Sequence, residues 1–192
     1  MTSRERVNET VAHEAPDRCP LFLGRVDDFE VWEKAFGVKT ADELRTYLGC
    51  DLRKTDYSGV LPKQDGKTVW GSDDAWEAGY SGERGGYPLQ SASSIADVEN
   101  YNWPDPSDVD YSLLKQRTLG IDPRYSRILS LGFLPPFNTL MDLFGMEEAL
   151  VMFYTSPEVI EAALERITDY LTAVMTRAMN DSADYADFFW LG

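Results

Sequence analysis

The sequence predicts an α/β fold with a parallel sheet, and three segments carry the prediction. Residues 19–24 and 127–133 are apolar runs of the kind found in strands buried on both faces. Residues 186–192 form a third such run, and a long amphipathic pattern precedes it. Strands that alternate with helices are joined by right-handed crossovers, so we expect the three strands to be parallel.

The first segment of the chain predicts a short amphipathic helix over residues 3–14. Thr2 and Glu5 have capping-box spacing, and Pro16 ends the pattern. The run at residues 19–24 follows directly and is interpreted as strand one.

Two further helices are expected after strand one. The first covers residues 27–36. The second begins at Thr40, with Glu43 three residues on, and Gly49 supplies its C-terminal stop.

Residues 51–92 differ in composition, being rich in Gly, Asp, Ser and aromatic residues. Asp65-Gly66 is a hairpin turn signal between two short strand-like pieces, 57–61 and 67–71. We therefore predict a β-hairpin excursion within the domain.

The remainder of the chain predicts helices and two of the strands. Ser94 and Asp97 cap a short helix, and residues 111–119 have helical spacing. After the strand at 127–133, helices are expected at 136–144, at 146–154 and from Pro157 onward. The last helix has an apolar stripe of Val159, Ile160, Ala163, Leu164, Ile167, Leu171, Val174, Met175 and Met179.

Charge and hydropathy exclude several function classes. Thirty-three acidic and eighteen basic residues give a net charge of -15, which repels phosphate backbones, so no nucleic-acid partner is expected. No apolar run reaches the length of a membrane span and no secretory signal is visible, so we expect a cytoplasmic protein with no membrane partner.

The residues that commonly hold metals are few and scattered. Cys19 and Cys50 lack CxxC spacing and are interpreted as free thiols, and His13 is the one histidine. A His-rich metal site or a Ser-His-Asp triad is therefore not expected from this chain unaided.

Several short segments resemble one family in order along the chain. They are Ser3-Arg4-Glu5-Arg6-Val7, His13-Glu14-Ala15-Pro16-Asp17-Arg18-Cys19-Pro20, Leu48-Gly49-Cys50-Asp51-Leu52-Arg53, Tyr101-Asn102-Trp103-Pro104-Asp105-Pro106, and the stretch from Gly145 through Pro157 to Trp190-Leu191-Gly192. On these residues the chain resembles the uroporphyrinogen decarboxylase superfamily.

The resemblance implies a TIM (β/α)8 barrel of roughly twice this length. Residues 1–192 are then expected to be the N-terminal portion of one such domain, truncated after its third strand, with 51–92 as an excursion within it. The fold class predicted is thus a partial barrel, its first three strands with their helices.

The family contains true decarboxylases and methyltransferases that serve corrinoid proteins, coenzyme M or methoxylated aromatics. The decarboxylase R-Q-A-G-R segment is matched here at Arg25 only, with Phe29 at its second arginine. Leu143 occupies the position of a decarboxylase tyrosine. An acidic chain also offers little counter-charge to a porphyrinogen with many carboxylates.

The resemblance therefore favours part of a corrinoid-dependent methyltransferase, with a small-molecule or corrinoid-protein substrate. Uroporphyrinogen decarboxylase, in tetrapyrrole synthesis, is the alternative. An alternative of another class is a non-catalytic chain, or a module that needs a separate remainder. The chain alone is expected to be inactive.

Methyltransferases of the superfamily use zinc held by a His-x-Cys pair and a distant Cys. The resemblance places these ligands in later strands, and His13, Cys19 and Cys50 do not match them. We expect no metal in residues 1–192, while the full-length protein is expected to hold zinc through its missing half.

Four residues are candidates for substrate binding, and none is assigned as catalytic. Arg25 follows strand one and is suited to a carboxylate, or pairs with Asp27 or Asp28. Asp51, like Asp56, is a candidate acid or base, or a turn cap.

The other two candidates follow the later strands. Asn138 is a candidate donor to substrate or a cap of the helix beside it, and Trp190 borders a pocket or packs in the core. The aromatic cluster in the excursion is a lid or, preferably, a small core; its members are Trp70, Trp76, Tyr80 and Tyr87.

Overall fold

A computed structural model describes residues 1–62, 66–73, 86–131 and 135–190. In chain order its elements are α1 (Ser3–Val11), α2 (Phe29–Phe36), α3 (Ala41–Tyr47), β1 (Leu52–Lys54), α4 (Ile95–Glu99), α5 (Tyr111–Gly120), β2 (Ser126–Ser130), α6 (Pro136–Phe144), α7 (Met146–Thr155), α8 (Pro157–Ser182) and β3 (Phe188–Trp190). The protein is thus a mixed α/β chain, about half helical, with a small sheet.

The described chain divides into two compact units. The first comprises Met1–Asp56, Ser112–Ser130 and Ser182–Trp190, and the second comprises Tyr57–Tyr111 and Leu131–Asp181. The first unit contains all three strands, and the second contains most of the long helix α8.

Local side-chain chemistry sets the helix ends of the first unit. Thr2 Oγ1 accepts a hydrogen bond from the Glu5 amide at 3.2 Å, and the Glu5 carboxylate accepts one from the Thr2 amide at 2.7 Å. Thr40 caps α3 through the Glu43 amide at 3.1 Å, and Gly49 follows α3 with a φ of 71°. These capping predictions are confirmed.

The sheet has the order β1-β2-β3, and both pairs of strands are parallel, as predicted. Leu52 is level with Ser126 in the first pair, and Ser130 is level with Trp190 in the second. Connections between parallel neighbours must cross from one end of the sheet to the other, which explains the helices between the strands.

The two faces of the sheet differ because side chains alternate along each strand. Arg53 and Arg127 lie on the face that helices cover. The Arg53 guanidinium bonds Asp42 of α3 at 2.5 Å, and Arg127 bonds the carbonyl of Ile121, just after α5, at 2.6 Å. The register places Lys54, Ser130 and Trp190 on the opposite face.

The prediction of strand one at residues 19–24 is wrong. The segment has no regular secondary structure, and the first strand is instead Leu52–Lys54. One backbone bond ties the segment to the sheet, from the Asp51 amide to the Leu21 carbonyl at 2.8 Å. Leu21 and Phe22 are exposed, so the apolar run is not buried on both faces as the pattern suggested.

The predicted excursion over residues 51–92 is also corrected. Its first residues form β1, residues 58–60 form a turn instead of a strand, and residues 67–73 close in a tight turn with one antiparallel bridge between Lys67 and Asp73. The Asp65-Gly66 turn lies partly outside the described residues.

The second unit is built on α6, α7 and α8. Ser94 and Asp97 form the predicted capping box of α4. The core contains Phe144, Leu140, Leu143, Val159, Ile160, Ala163, Ile167 and Val174, which are almost completely buried. Most of the predicted stripe of α8 is buried, but Leu164 and Met175 are only partly buried and Met179 is exposed. Tyr170 and Ala178, which the stripe did not include, are buried.

No helix within the described residues is long and apolar enough to cross a membrane.

Candidate functional site

The carboxyl edge of the sheet is the candidate site. The strands end there at Lys54, Ser130 and Trp190. In parallel α/β folds, ligands bind where the strands end, because the following loops converge at that edge. All three residues belong to the first unit.

Lys54 is the distinctive residue of this edge. Its side chain is half-buried, and among the described residues it has neither a hydrogen-bond partner nor a carboxylate partner. Burial, and then the positive charge of Arg45, hold the pKa of the Lys54 ammonium below its ordinary value. Its nitrogen lies 5.5 Å from the centre of the Trp190 ring, within the range of a cation–π contact.

Two aromatic rings form a wall beside Lys54. The centres of the Phe22 and Trp190 rings are 6.0 Å apart with the planes tilted by 54°. Phe22 is 37% exposed and Trp190 is 40% exposed, so both rings present apolar surface to solvent. Within the described residues, Trp190 is therefore not buried in a core.

Arg45 holds the segment that carries Phe22. Its guanidinium donates to the Leu23 carbonyl at 2.8 Å and to the Gly24 carbonyl at 3.3 Å. Gly24 lies against the Phe22 ring, since a Cβ there would meet a ring carbon at 3.1 Å. A substitution of Gly24 would displace the ring.

Asp51 lies at the opposite, amino edge, directly before β1. Its carboxylate is 0% exposed and accepts from Arg6 at 2.5 Å, from Arg18 at 2.7 and 2.9 Å, and from the Leu21 amide at 2.9 Å. Burial alone would raise the pKa of Asp51, but the bonds from Arg18, Leu21 and Arg6 outweigh it and the pKa lies below its ordinary value. Asp51 is a fully engaged structural carboxylate instead of a turn cap.

Arg25 does not follow a strand. It is 63% exposed at the side chain and forms an ion pair with Asp27 at 2.5 Å, the alternative raised by the sequence. A solvent-exposed pair of this kind is weak and contributes little to binding geometry.

Asn138 is exposed and lies inside α6, which begins at Pro136. Pro135 occupies the cap position and no side chain caps this helix end. The capping interpretation of Asn138 is therefore wrong. Asn138 belongs to the second unit.

Two further acidic residues, one just before β3 and one just after β1, are engaged in ion pairs. Asp187, just before β3, accepts from Arg4 at 2.6 Å and from the Arg127 amide at 2.9 Å. Asp56 lies 3.3 Å from Arg117. These groups are occupied in holding elements of the first unit together.

Trp70 is the described centre of the predicted aromatic cluster. It is buried and packs edge-on against Tyr170, with ring centres 4.9 Å apart, and against Trp103 at 6.4 Å. The core interpretation is confirmed for Trp70. Trp76 and Tyr80 lie outside the described residues.

The two thiols lie in different environments. Cys50 is buried, and burial raises the pKa of its thiol. Cys19 is exposed. Within the described ranges, no three His, Cys, Asp or Glu residues are grouped closely enough to hold a metal ion.

Two depressions lie elsewhere, along α8, between residues 161 and 181. Every residue that lines them belongs to this one helix. Ligand sites usually gather polar groups from several elements, so these grooves are less suited to binding than the sheet edge.

Comparisons with protein-family models, with curated proteins and with solved structures each returned no match.

Sequence reasoning found Trp190 but missed Lys54, Arg45 and Phe22. Lys54 is the last residue of a strand that was itself missed, because Leu52-Arg53-Lys54 has too few apolar residues for a buried strand. One apolar residue followed by two charged residues shows no alternation, so the sequence offered no strand signal here.

Proposed function

We propose that the chain forms part of a parallel β/α barrel of the uroporphyrinogen decarboxylase superfamily and serves a corrinoid-linked methyl-transfer system. The supporting observation is the convergence of the family-like segments on one carboxylate. Arg6, the pair Asp17-Arg18, and Asp51 come from three separate segments, and Arg6 and Arg18 both bond Asp51.

The network gives these residue types a physical reason to occur together in one chain. Arg6 also bonds Asp17 at 2.5 and 2.8 Å, so two acids and two guanidiniums are linked in series. A buried carboxylate is tolerated when several charged donors satisfy it, and removal of any member leaves an uncompensated charge.

The two faces of the sheet also support a partial barrel. Asp42 of α3 bonds Arg53, and the Leu119 carbonyl of α5 bonds Arg127, so helices contact this face as the outer ring of a barrel does. The other face presents Lys54 and Trp190, and in a barrel this face lines the interior, with active-site groups at the carboxyl ends.

Two positions favour methyl transfer over decarboxylation. Leu143, at the decarboxylase tyrosine position, is completely buried in the core of its unit. Arg25, the matched arginine, has a side chain that is 63% exposed and lies outside any strand, unlike a cation held in a binding pocket.

In this proposal any zinc is held by residues beyond this sequence. The contribution of the chain itself is to hold the amino edge through Asp51 and to present Lys54, Phe22 and Trp190 at the carboxyl edge.

The test is to read the source DNA beyond the Gly192 codon and to express the product of the whole reading frame. We expect a later His-x-Cys pair and Cys, bound zinc by elemental analysis, and methyl transfer from methylcobalamin to a thiol, followed by corrinoid absorbance. Decarboxylation of uroporphyrinogen without methyl transfer would instead support the alternative activity.

A stop codon after Gly192, with soluble and monodisperse protein, would support the non-catalytic alternative. The absence of both activities from a longer, folded product would contradict the proposed function.

A further inference from the structure

We propose that Lys54 binds the carboxylate of a flat aromatic ligand whose ring packs against Trp190 and Phe22. The placement of this edge at the mouth of a barrel rests on the proposed function, whereas the recognition chemistry rests on the side chains themselves.

The first argument is the state of the Lys54 charge. The chain carries a net charge of -15. Several of its cations are paired with carboxylates, namely Arg4, Arg6, Arg18, Arg25, Lys39 and Arg53. Lys54 is half-buried. Among the described residues, the charged group that affects its pKa is Arg45, which is also a cation. A desolvated ammonium without a counter-charge favours an anion from outside.

The second argument is the geometry of the donors. A lysine has three N–H donors, and none of those of Lys54 bonds to a described residue. Arg45 is less suited than Lys54 as the anion ligand, since two of its guanidinium nitrogens already bond the Leu23 and Gly24 carbonyls. Arg45 is a positioning residue that holds Phe22 in the wall.

The third argument is the surface beside the cation. Phe22 and Trp190 are both more than a third exposed, and their tilted rings stand 6.0 Å apart. Exposed aromatic rings in contact with each other present a surface suited to a planar apolar group. The Lys54 nitrogen lies 5.5 Å from the Trp190 ring, so a ligand that stacks on the ring can place its carboxylate at the ammonium.

The single cation favours a carboxylate over a phosphate. Phosphate sites usually combine several cations or a helix N-terminus with a glycine-rich loop. Among the described residues of this edge, Lys54 is the cation without a carboxylate partner, and it is the last residue of a strand.

The experiment titrates the chain with 2-naphthoate and with the neutral 2-naphthamide, using NMR to follow binding up to millimolar concentrations. We expect naphthoate to bind more tightly than naphthamide, and Lys54→Met to weaken naphthoate by about tenfold or more because a charged hydrogen bond is lost. Lys54→Arg should retain the preference for the anion. Trp190→Leu should weaken both aromatic compounds.

The matched control is Lys115→Met. The Lys115 nitrogen also lies 5.5 Å from an aromatic ring, that of Tyr185, but its side chain is exposed. Circular dichroism verifies that each variant folds. Naphthoate binding that is absent in the wild type, or that Lys54→Met and Lys115→Met change equally, would overturn the proposal.

Inorganic phosphate is the third probe, and it should not displace naphthoate at equal concentration. Displacement by phosphate would contradict the assignment of an aromatic carboxylate. Because binding is measured without any methyl donor, a whole gene product that lacks methyl transfer would overturn the proposed function while leaving naphthoate binding through Lys54 intact.

Discussion

The two edges of the sheet differ in whether their charged side chains have partners of opposite charge. At the amino edge, Asp51 and Asp187 are each engaged by arginines, and Asp51 is completely buried. At the carboxyl edge, Lys54 is half-buried beside Arg45 and, among the described residues, has no carboxylate partner.

The difference separates stability from binding within one small sheet. A charge network whose members satisfy one another holds elements together but has no capacity for a ligand. A cation left without a counter-charge adds little to stability and retains its capacity for an external anion. Parallel barrels generally divide their two ends in this way.

The largest effect is expected from Asp51→Asn. The substitution removes the carboxylate that Arg6 and Arg18 share and leaves the buried Arg6 guanidinium without one of its two charged partners. We expect a loss of about 3 kcal/mol in the free energy of unfolding. Urea denaturation followed by circular dichroism measures it.

The control is Asp27→Asn, which breaks the exposed pair with Arg25. Its effect should stay below about 0.5 kcal/mol because exposed pairs contribute little. Equal losses in the two variants would contradict the structural role assigned to Asp51.

Acid should weaken the amino edge next. The pKa of Asp17, bonded by Arg6, is lowered to about 2, and that of Asp51 also lies below its ordinary value. A carboxylate with a depressed folded pKa stabilises the fold above its unfolded pKa, near 4, and loses that contribution as the pH falls toward the folded value.

The free energy of unfolding should therefore fall as the pH drops from about 5 toward 2, the window set by the unfolded carboxylate and the Asp17 pKa. The difference between wild type and Asp51→Asn should narrow over the same window. A difference that stays constant with pH would show that the Asp51 charge does not stabilise the fold.

Much of the fold was predictable because its signals are local. The caps at Thr2, Thr40 and Ser94 each lie three residues from their partner, and Pro157 starts α8 at its own position. The parallel arrangement followed from the alternation of strands and helices.

The first strand was not predictable from hydrophobicity because tertiary partners satisfy its polar residues. Arg53 is buried against Asp42 and the Tyr125 ring. The local sequence around Arg53 does not predict those contacts. The apolar run at residues 19–24 suggested a buried strand, but Leu21 and Phe22 in it are exposed. Hydrophobic residues are often exposed, so an apolar run alone does not establish burial.

The candidate site was predictable only where it coincided with a predicted strand. Trp190 ends such a strand, whereas Lys54 ends the strand that was missed. Asp51 was chosen as a reactive group because its polar context was visible in the sequence. Its burial and its two arginines are properties of the folded chain.

A smaller effect is expected from Arg18→Gln. Arg18 donates two bonds to Asp51, but its side chain is 41% exposed, so water can replace it, and Asp51 keeps its bonds from Arg6 and Leu21. We expect a loss of about 1.5 kcal/mol by urea denaturation. A loss as large as that of Asp51→Asn would mean that Arg18 alone accounts for the stabilisation from the network. Arg25→Gln is the control, because Arg25 is an exposed arginine.

The smallest effect is expected from Lys54→Met, at the carboxyl edge. The methionine retains most of the side-chain bulk and removes a partly buried charge that no described carboxylate compensates. The lost cation–π contact with Trp190 opposes the relief of desolvation, so the free energy of unfolding should change by less than about 0.5 kcal/mol. A loss of more than about 2 kcal/mol would place Lys54 in the same structural class as Arg6. Charged residues at both edges would then serve stability, and the argument for ligand binding at the carboxyl edge would fail.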